Sequence, residues 1–264
     1  FMHHEYLTAL QRSGSATPDT GWTPHAVTLW QGGALIAACP LYLTEHSYGE
    51  YVFDWAWARA YAEHGLHYYP KAVVAVPFTP VPGTRLMARD APARAALVQA
   101  LRAWCEQAGV SSLHVLFASD EDIAACASAG LMLRHTVQFH WNNAGGAGGD
   151  VGYTDVDAFL ASLNQEKRKK IRQERRRVAE ACVSFRWARG LDITPADWDF
   201  FYRCYERTYL EHGNPPYLTR DFFAQMQSEM PEHWLLFIAE REGRAIASSL
   251  IAITADTERA RGQN

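Results

Sequence analysis

The chain has 264 residues, 48% of them hydrophobic, and a formal charge of −4; this suits one large or two ordinary cores and excludes a disordered or fibrous polypeptide. Its longest apolar run, ALIAACPLYL, is too short to span a membrane, and no signal-peptide order stands at the amino terminus, so a cytoplasmic protein without a membrane span is expected. Cys39, Cys105, Cys126, Cys182 and Cys204 are scattered without a C-x-x-C pair, which points to neither a disulfide framework nor a zinc site.

In chain order, HHEYLTALQRSG has helical spacing at Tyr6, Leu7 and Leu10, and HAVTLWQGGALIAACPLYLT predicts two strands about a Gly-Gly turn. The aromatic-rich HSYGEYVFDWAWARAYAEHGLHYYPK follows, with a short helix predicted behind Asp54 as N-cap and ended at Gly65. KAVVAVPF is a strand, APARAALVQALRAWCEQAG an amphipathic helix stopped by Gly109, and SSLHVLFA a strand. SDEDIAACASAG is a short helix behind Ser119 or Asp120, and LMLRHTVQFHW is expected to be the last strand of a first unit, 1–144. A glycine-rich joint over 145–155 leads to a basic connecting helix over 156–181, with Ser162 and Gln165 as its capping box. In NQEKRKKIRQERRR eight Lys/Arg oppose two Glu, so this segment carries +6 and the remainder −10. A second unit, 182–264, then reads strand (VSFRWARG), helix behind Thr194 and Pro195, helix (TRDFFAQMQSEMP) and a hairpin turning at Glu242-Gly243. The start at Phe1 and the polar finish TADTERARGQN lead us to expect a fragment.

The order helix, hairpin, strand, helix, strand, helix, strand resembles the GNAT acyltransferase fold. Two such units joined by a basic helix resemble the FemAB-like proteins. The segments GSATPDTGWTPHAVTLW, CPLYLTEHSYGEYVFDWAWARAY, YYPKAVVAVPFTPVPGTRL, NQEKRKKIRQERRR and YLEHGNPPYLTRDFF look like the branch described as peptidoglycan biosynthesis or recognition. The resemblance implies an α/β (α+β) chain of tandem GNAT modules, the second incomplete, that moves an acyl or aminoacyl group to an amine. A small-molecule or cell-wall peptide precursor would be the acceptor. The donor would be an aminoacyl-tRNA or acyl-CoA co-substrate, with no tightly bound cofactor, no metal and no DNA partner. An acetyl-CoA-dependent N-acetyltransferase and a non-catalytic precursor- or tRNA-binding protein are the alternatives. The place of the usual glycine-rich pyrophosphate turn reads FTPVPGTRLMARDAPAR, with three prolines that donate no N–H, which argues against CoA in the first module.

Among candidate catalytic residues, Glu50 lies in an extended apolar run where desolvation would raise its pKa toward that of a base for amine acylation. Pairing with Lys71 or Arg85 is the structural alternative. Asp54 is either a second catalytic carboxylate or simply the helix cap, and the cap is favoured. Candidate substrate-binding residues are Tyr48, Tyr51 and Lys71, with Tyr209, His212, Asn214, Tyr217 and Arg220 from the face and turn YERTYLEHGNPPYLTR. Core packing is the alternative for their rings. Lys167, Arg168, Lys170, Arg172, Arg175 and Arg176 are candidates for phosphate or tRNA, set against a solvated linker helix.

Overall fold

The computed structural model describes residues 1–141, 143 and 152–254; most of the glycine-rich joint and the last ten residues of the sequence lie outside these. The architecture is mixed α/β. Helix α1 (His4–Arg12) buries Tyr6, Ala9 and Leu10. Strands β1 (Trp22–Gln31) and β2 (Ala34–Thr44) form the expected hairpin, with Gly32 and Gly33 at φ 56° and 80°. Positive φ at both turn positions is what a two-residue hairpin whose turn follows the strand twist requires.

Helix α2 (Trp55–Glu63) crosses to β3 (Lys71–Val74), which pairs antiparallel with β2 and parallel with β5 (Leu113–Val115). Between β3 and β5 come β4 (Met87–Ala88), on the β2 edge, and α3 (Ala91–Ala108). The long helix α3 starts on an Asp90 carboxylate that accepts from Ala93 N–H and stops at Gly109, φ 66°. It lays Leu97, Val98 and Leu101 against Leu41, Ala72 and Val74 to make one core of this sheet. Helix α4 (Asp120–Ser128) is capped by Ser119.

The later part runs α5 (Val156–Ser162), α6 (Gln165–Glu180), β6 (Val183–Arg189), α7 (Pro195–Glu211), α8 (Arg220–Glu229), β7 (Trp234–Arg241) and β8 (Arg244–Ala252). Strands β6, β7 and β8 make a three-stranded antiparallel sheet. A second core joins the early and late parts, with Tyr6 and Leu10 of α1, Trp22, Tyr42 and Val73 packed with Trp198, Phe222, Met226, Leu236 and Ile238.

Several local expectations change. Leu131–Trp141 is not a strand: its alternating pattern is present, yet Val137 and Phe139 stay exposed, with no strand paired to the segment among the described residues. The basic segment is two helices, broken at Leu163–Asn164, and the cap of α6 is Asn164, whose side chain accepts from Lys167 N–H at 2.9 Å, in place of a Ser162 box. Asp54 occupies the N-cap position of α2 without capping it, because its carboxylate is turned inward.

Candidate functional site

Thr44, the last residue of β2, stands opposite Lys71, the first of β3, and the chain between them folds back over this corner. Lys71 is fully buried, and its ammonium donates to Ser47 Oγ and Glu50 Oε2, both at 2.8 Å, and to Asp54 Oδ2. The three protons of the lysine thus have three acceptors. Thr44 Oγ1 donates to Glu50 Oε1 (3.3 Å) and Tyr68 Oη to Asp54 Oδ2 (2.8 Å), with His114 Nε2 3.3 Å from the same phenol. Glu50 is 3% exposed and Asp54 1%, so neither carboxylate meets solvent directly.

The two acids are pulled apart by their surroundings. Burial raises Glu50 from the ordinary 4.5 to about 6, more than the Lys71 charge and hydrogen bond bring it down, and the Asp54 charge adds to the rise. Burial also pushes Asp54 upward, but hydrogen bonds from Lys71, Ser47 and Tyr68 outweigh it and hold that carboxyl below its usual range. Burial, with the nearby Lys71 charge, lowers His114 to about 4, so its ring is neutral near pH 7.

The segment from Ser47 to Asp54 is a wall with two faces. Gly49 has φ 81°, and a Cβ there would run into the Phe78 ring; Tyr51, at φ 58°, is a strained non-glycine position. Tyr48 faces a junction cleft of about 530 Å³, whose lining includes Asp19, Trp22, His46, Phe78, Asn214 and Tyr217. Tyr217 stacks on Phe78 with centroids 5.0 Å apart and planes 6° from parallel, and Tyr51 Oη lies 3.3 Å from Tyr209 Oη. His46 Nδ1 accepts from Tyr48 N–H at 3.2 Å, so its Nε2–H is the donor to Thr20 O at 2.9 Å. Aromatic faces, hydroxyls and the carboxylate of Asp19 make this cleft suited to an organic ammonium or a neutral polar group.

The structure therefore brings Glu50, Asp54 and Lys71 into one buried cluster and sets Tyr48, Tyr51, Tyr209, Asn214 and Tyr217 around the junction. Lys71 is the partner of Glu50, while Arg85 donates to the carbonyls of Val81 and Gly83. Two of the candidates stand apart. The His212 ring is bonded to Thr208 O in its own helix (2.7 Å), and Arg220 pairs with Asp199 at 2.8 Å. None of Lys167, Arg168, Lys170, Arg172, Arg175 and Arg176 lines either described cavity. Helix α6 buries no residue, and only Arg172 (with Asp157, 3.6 Å) and Lys170 (with Glu174, 4.0 Å) of these six have ion-pair partners among the described residues. At 3.6 residues per turn Arg168, Lys169, Arg172, Arg175 and Arg176 share an arc of about 120°, with Glu166 and Glu174 outside it.

Asp19, His46 and Phe78 were not legible as site residues. The only signal for Asp19 is the turn sequence PDTGW, which reads equally as an ordinary loop. Among the described residues no group of His, Cys, Asp and Glu could hold a metal ion, and no helix is long and apolar enough to cross a membrane.

Comparison with known proteins adds three findings. No curated protein matches this chain. A solved structure titled "Crystal structure of FemX" matches at 11% identity and a TM-score of 0.40, over 89% of this chain and 51% of that one, so the chain spans about half its length. The model of the FemAB-like family, described as peptidoglycan biosynthesis/recognition, matches residues 1–260, and the chain belongs to that family.

Proposed function

We propose that this chain is part of a transferase that moves an acyl or aminoacyl group to an amine on a cell-wall peptide precursor. Its two parts would be tandem GNAT-type modules, the second represented by its opening half. The observation that carries the reading is the Ser47–Asp54 wall. It holds Glu50, with its carboxyl raised to about 6, two residues from Tyr48 in the lining of a cleft suited to an ammonium group.

In this reading the acceptor amine enters the junction cleft beside Asp19, between the rings of Phe78, Tyr48 and Tyr217. Lys71 and Thr44 fix Glu50, and a shift of the strained Gly49–Tyr51 turn gives Glu50 access to the amine proton. Placement next to an already activated ester supplies most of the acceleration. The exposed arginine face of α6 would hold the phosphates of a tRNA-borne donor. All five cysteines are free thiols, which supports a cytoplasmic setting.

The test is transfer from aminoacyl-tRNA, or from acetyl-CoA, to an amine-bearing stem peptide. With Glu50 as base, kcat/KM rises through about pH 6 as the carboxyl ionises, and Glu50→Gln lowers it at least tenfold and removes that rise. A Glu50→Gln chain that transfers at the parent rate excludes Glu50. Transfer from acetyl-CoA alone would make the protein a plain N-acetyltransferase.

A further inference from the structure

A second cleft, of about 580 Å³, sharing no lining residue with the first, is lined by Tyr51, Val52 and Phe53 of the Ser47–Asp54 wall and runs along the outer edge of β5. β5 is the terminal strand of its sheet. Ala72 N–H donates to Ser112 O (2.9 Å) and Leu116 N–H donates to Val74 O (3.0 Å), so residues 112, 114 and 116 spend their backbone groups on β3. Strand alternation then turns the N–H and C=O of Leu113 and Val115 outward, into the cleft. Among the described residues no hydrogen bond reaches these four groups. Phe53, 81% exposed, and Trp57 form part of the apolar lining, and Leu131–Thr136 forms the facing side. Arg134 at this face donates to Phe53 O at 3.3 Å, and among the described residues no acidic side chain lines the cleft.

We propose that this edge binds an extended peptide as an added strand. The backbone of the peptide pairs with Leu113 and Val115, an apolar side chain packs against Phe53 and Trp57, and a carboxylate meets Arg134. A free edge at the floor of an apolar groove leaves four strong hydrogen-bonding groups to be satisfied. A strand satisfies all four at once, with side-chain pockets setting preference. The cationic rim without acids selects a peptide that carries a carboxylate. This site is separate from the junction cleft and does not depend on acyl transfer.

The probe is the hexapeptide acetyl-Ala-Val-Ala-Val-Ala-Glu, followed by residue-resolved amide exchange on the full chain. In the free chain the amides of Leu113 and Val115 exchange fast while those of His114 and Leu116 are slow. At ten times its Kd the peptide slows Leu113 and Val115 about tenfold. N-methylation of the peptide at one set of alternate positions abolishes binding, and at the other set leaves it intact. Arg134→Ala, or a peptide ending in an amidated Gln, weakens binding about tenfold. The proposal is overturned by absence of peptide binding or by equal binding of the two N-methylated registers. It is equally overturned if the Leu113 and Val115 amides are already slow in the free chain. In that last case Leu131–Trp141 or a second copy closes the edge, and sedimentation tells the two apart.

Discussion

Lys71 holds together a site that would otherwise repel itself. Two carboxylates within hydrogen-bond reach of one buried ammonium are tolerable only while that ammonium is present. Lys71→Met should therefore cost about 3–5 kcal/mol, a larger loss than Glu50→Gln, read as a drop in urea midpoint at unchanged m-value. The pH dependence follows from the two opposite shifts. Glu50 is raised, so between 4.5 and about 6 the folded chain binds more protons than the unfolded one, and stability falls as pH rises through that window. The fall is on the order of 2 kcal/mol at 1.36 kcal/mol per unit. Asp54 is lowered, so its contribution is present above the ordinary 3.8 and is lost as pH falls through its folded value. The lowered His114 opposes this, since the unfolded chain binds the proton its folded ring refuses between about 4 and 6.5 and stability there rises with pH. The test is therefore the difference between chains, and from pH 4.5 to pH 7 the parent should lose about 2 kcal/mol relative to Glu50→Gln in chemical denaturation. A Glu50→Gln chain with the parent profile would mean that another group sets it.

The Ser47–Asp54 wall depends on one backbone position. Gly49→Ala places a Cβ at φ 81° and into the Phe78 ring, so about 1–3 kcal/mol of strain is expected, and Tyr48 and Tyr51 should be displaced from their places. Calorimetry of Gly49→Ala and Gly33→Ala separates the two effects, because Gly33 has φ 80° with nothing near its Cβ. The greater loss belongs to Gly49. Helix α6 gives a different kind of prediction. Changing Arg168, Arg172, Arg175 and Arg176 to Ala should leave the fold intact and reduce the slope of log K against log salt for tRNA by roughly one per lost phosphate contact. An unchanged slope would make α6 a solvated connector. Elements of this kind were legible because their signals are local: the Thr194 and Pro195 start of α7, the Gly32-Gly33 turn and the charge run all lie within a few residues. What was not legible depends on distant partners. The pattern of Leu131–Trp141 specifies a strand but not a neighbour to pair with, and Asp54 reads as a cap until Lys71, seventeen positions away, competes for its carboxylate.

The early and late parts are held by one another. Tyr6 of α1 meets Phe222 of α8 edge to face at 5.3 Å, and both belong to a core that runs on through Trp198 and Leu236 to Val73 in the first sheet. A polar clasp lies beside it: Thr219 N–H donates to Ser15 Oγ and its hydroxyl to Ser13 O, both at 3.1 Å, while the same hydroxyl caps α8. The N-cap of a late helix is thus tied to the loop after the first one, and the junction cleft lies against that loop at Ser15. Such an arrangement argues against two units that unfold separately, because loosening either side exposes the shared rings of both. Phe222→Ala, a fully buried ring, should cost about 3–5 kcal/mol. At about 2–4 °C per kcal/mol for a chain of this size, its single transition should move down by roughly 6–20 °C. The decisive feature is shape rather than position. If the core is common property, the variant melts in one peak with far-UV circular dichroism and tryptophan fluorescence in coincidence, since Trp22 and Trp198 report on opposite sides of it. Two resolved peaks, with only the later one shifted, would show that the modules stand independently and that the cleft between them is free to open and close.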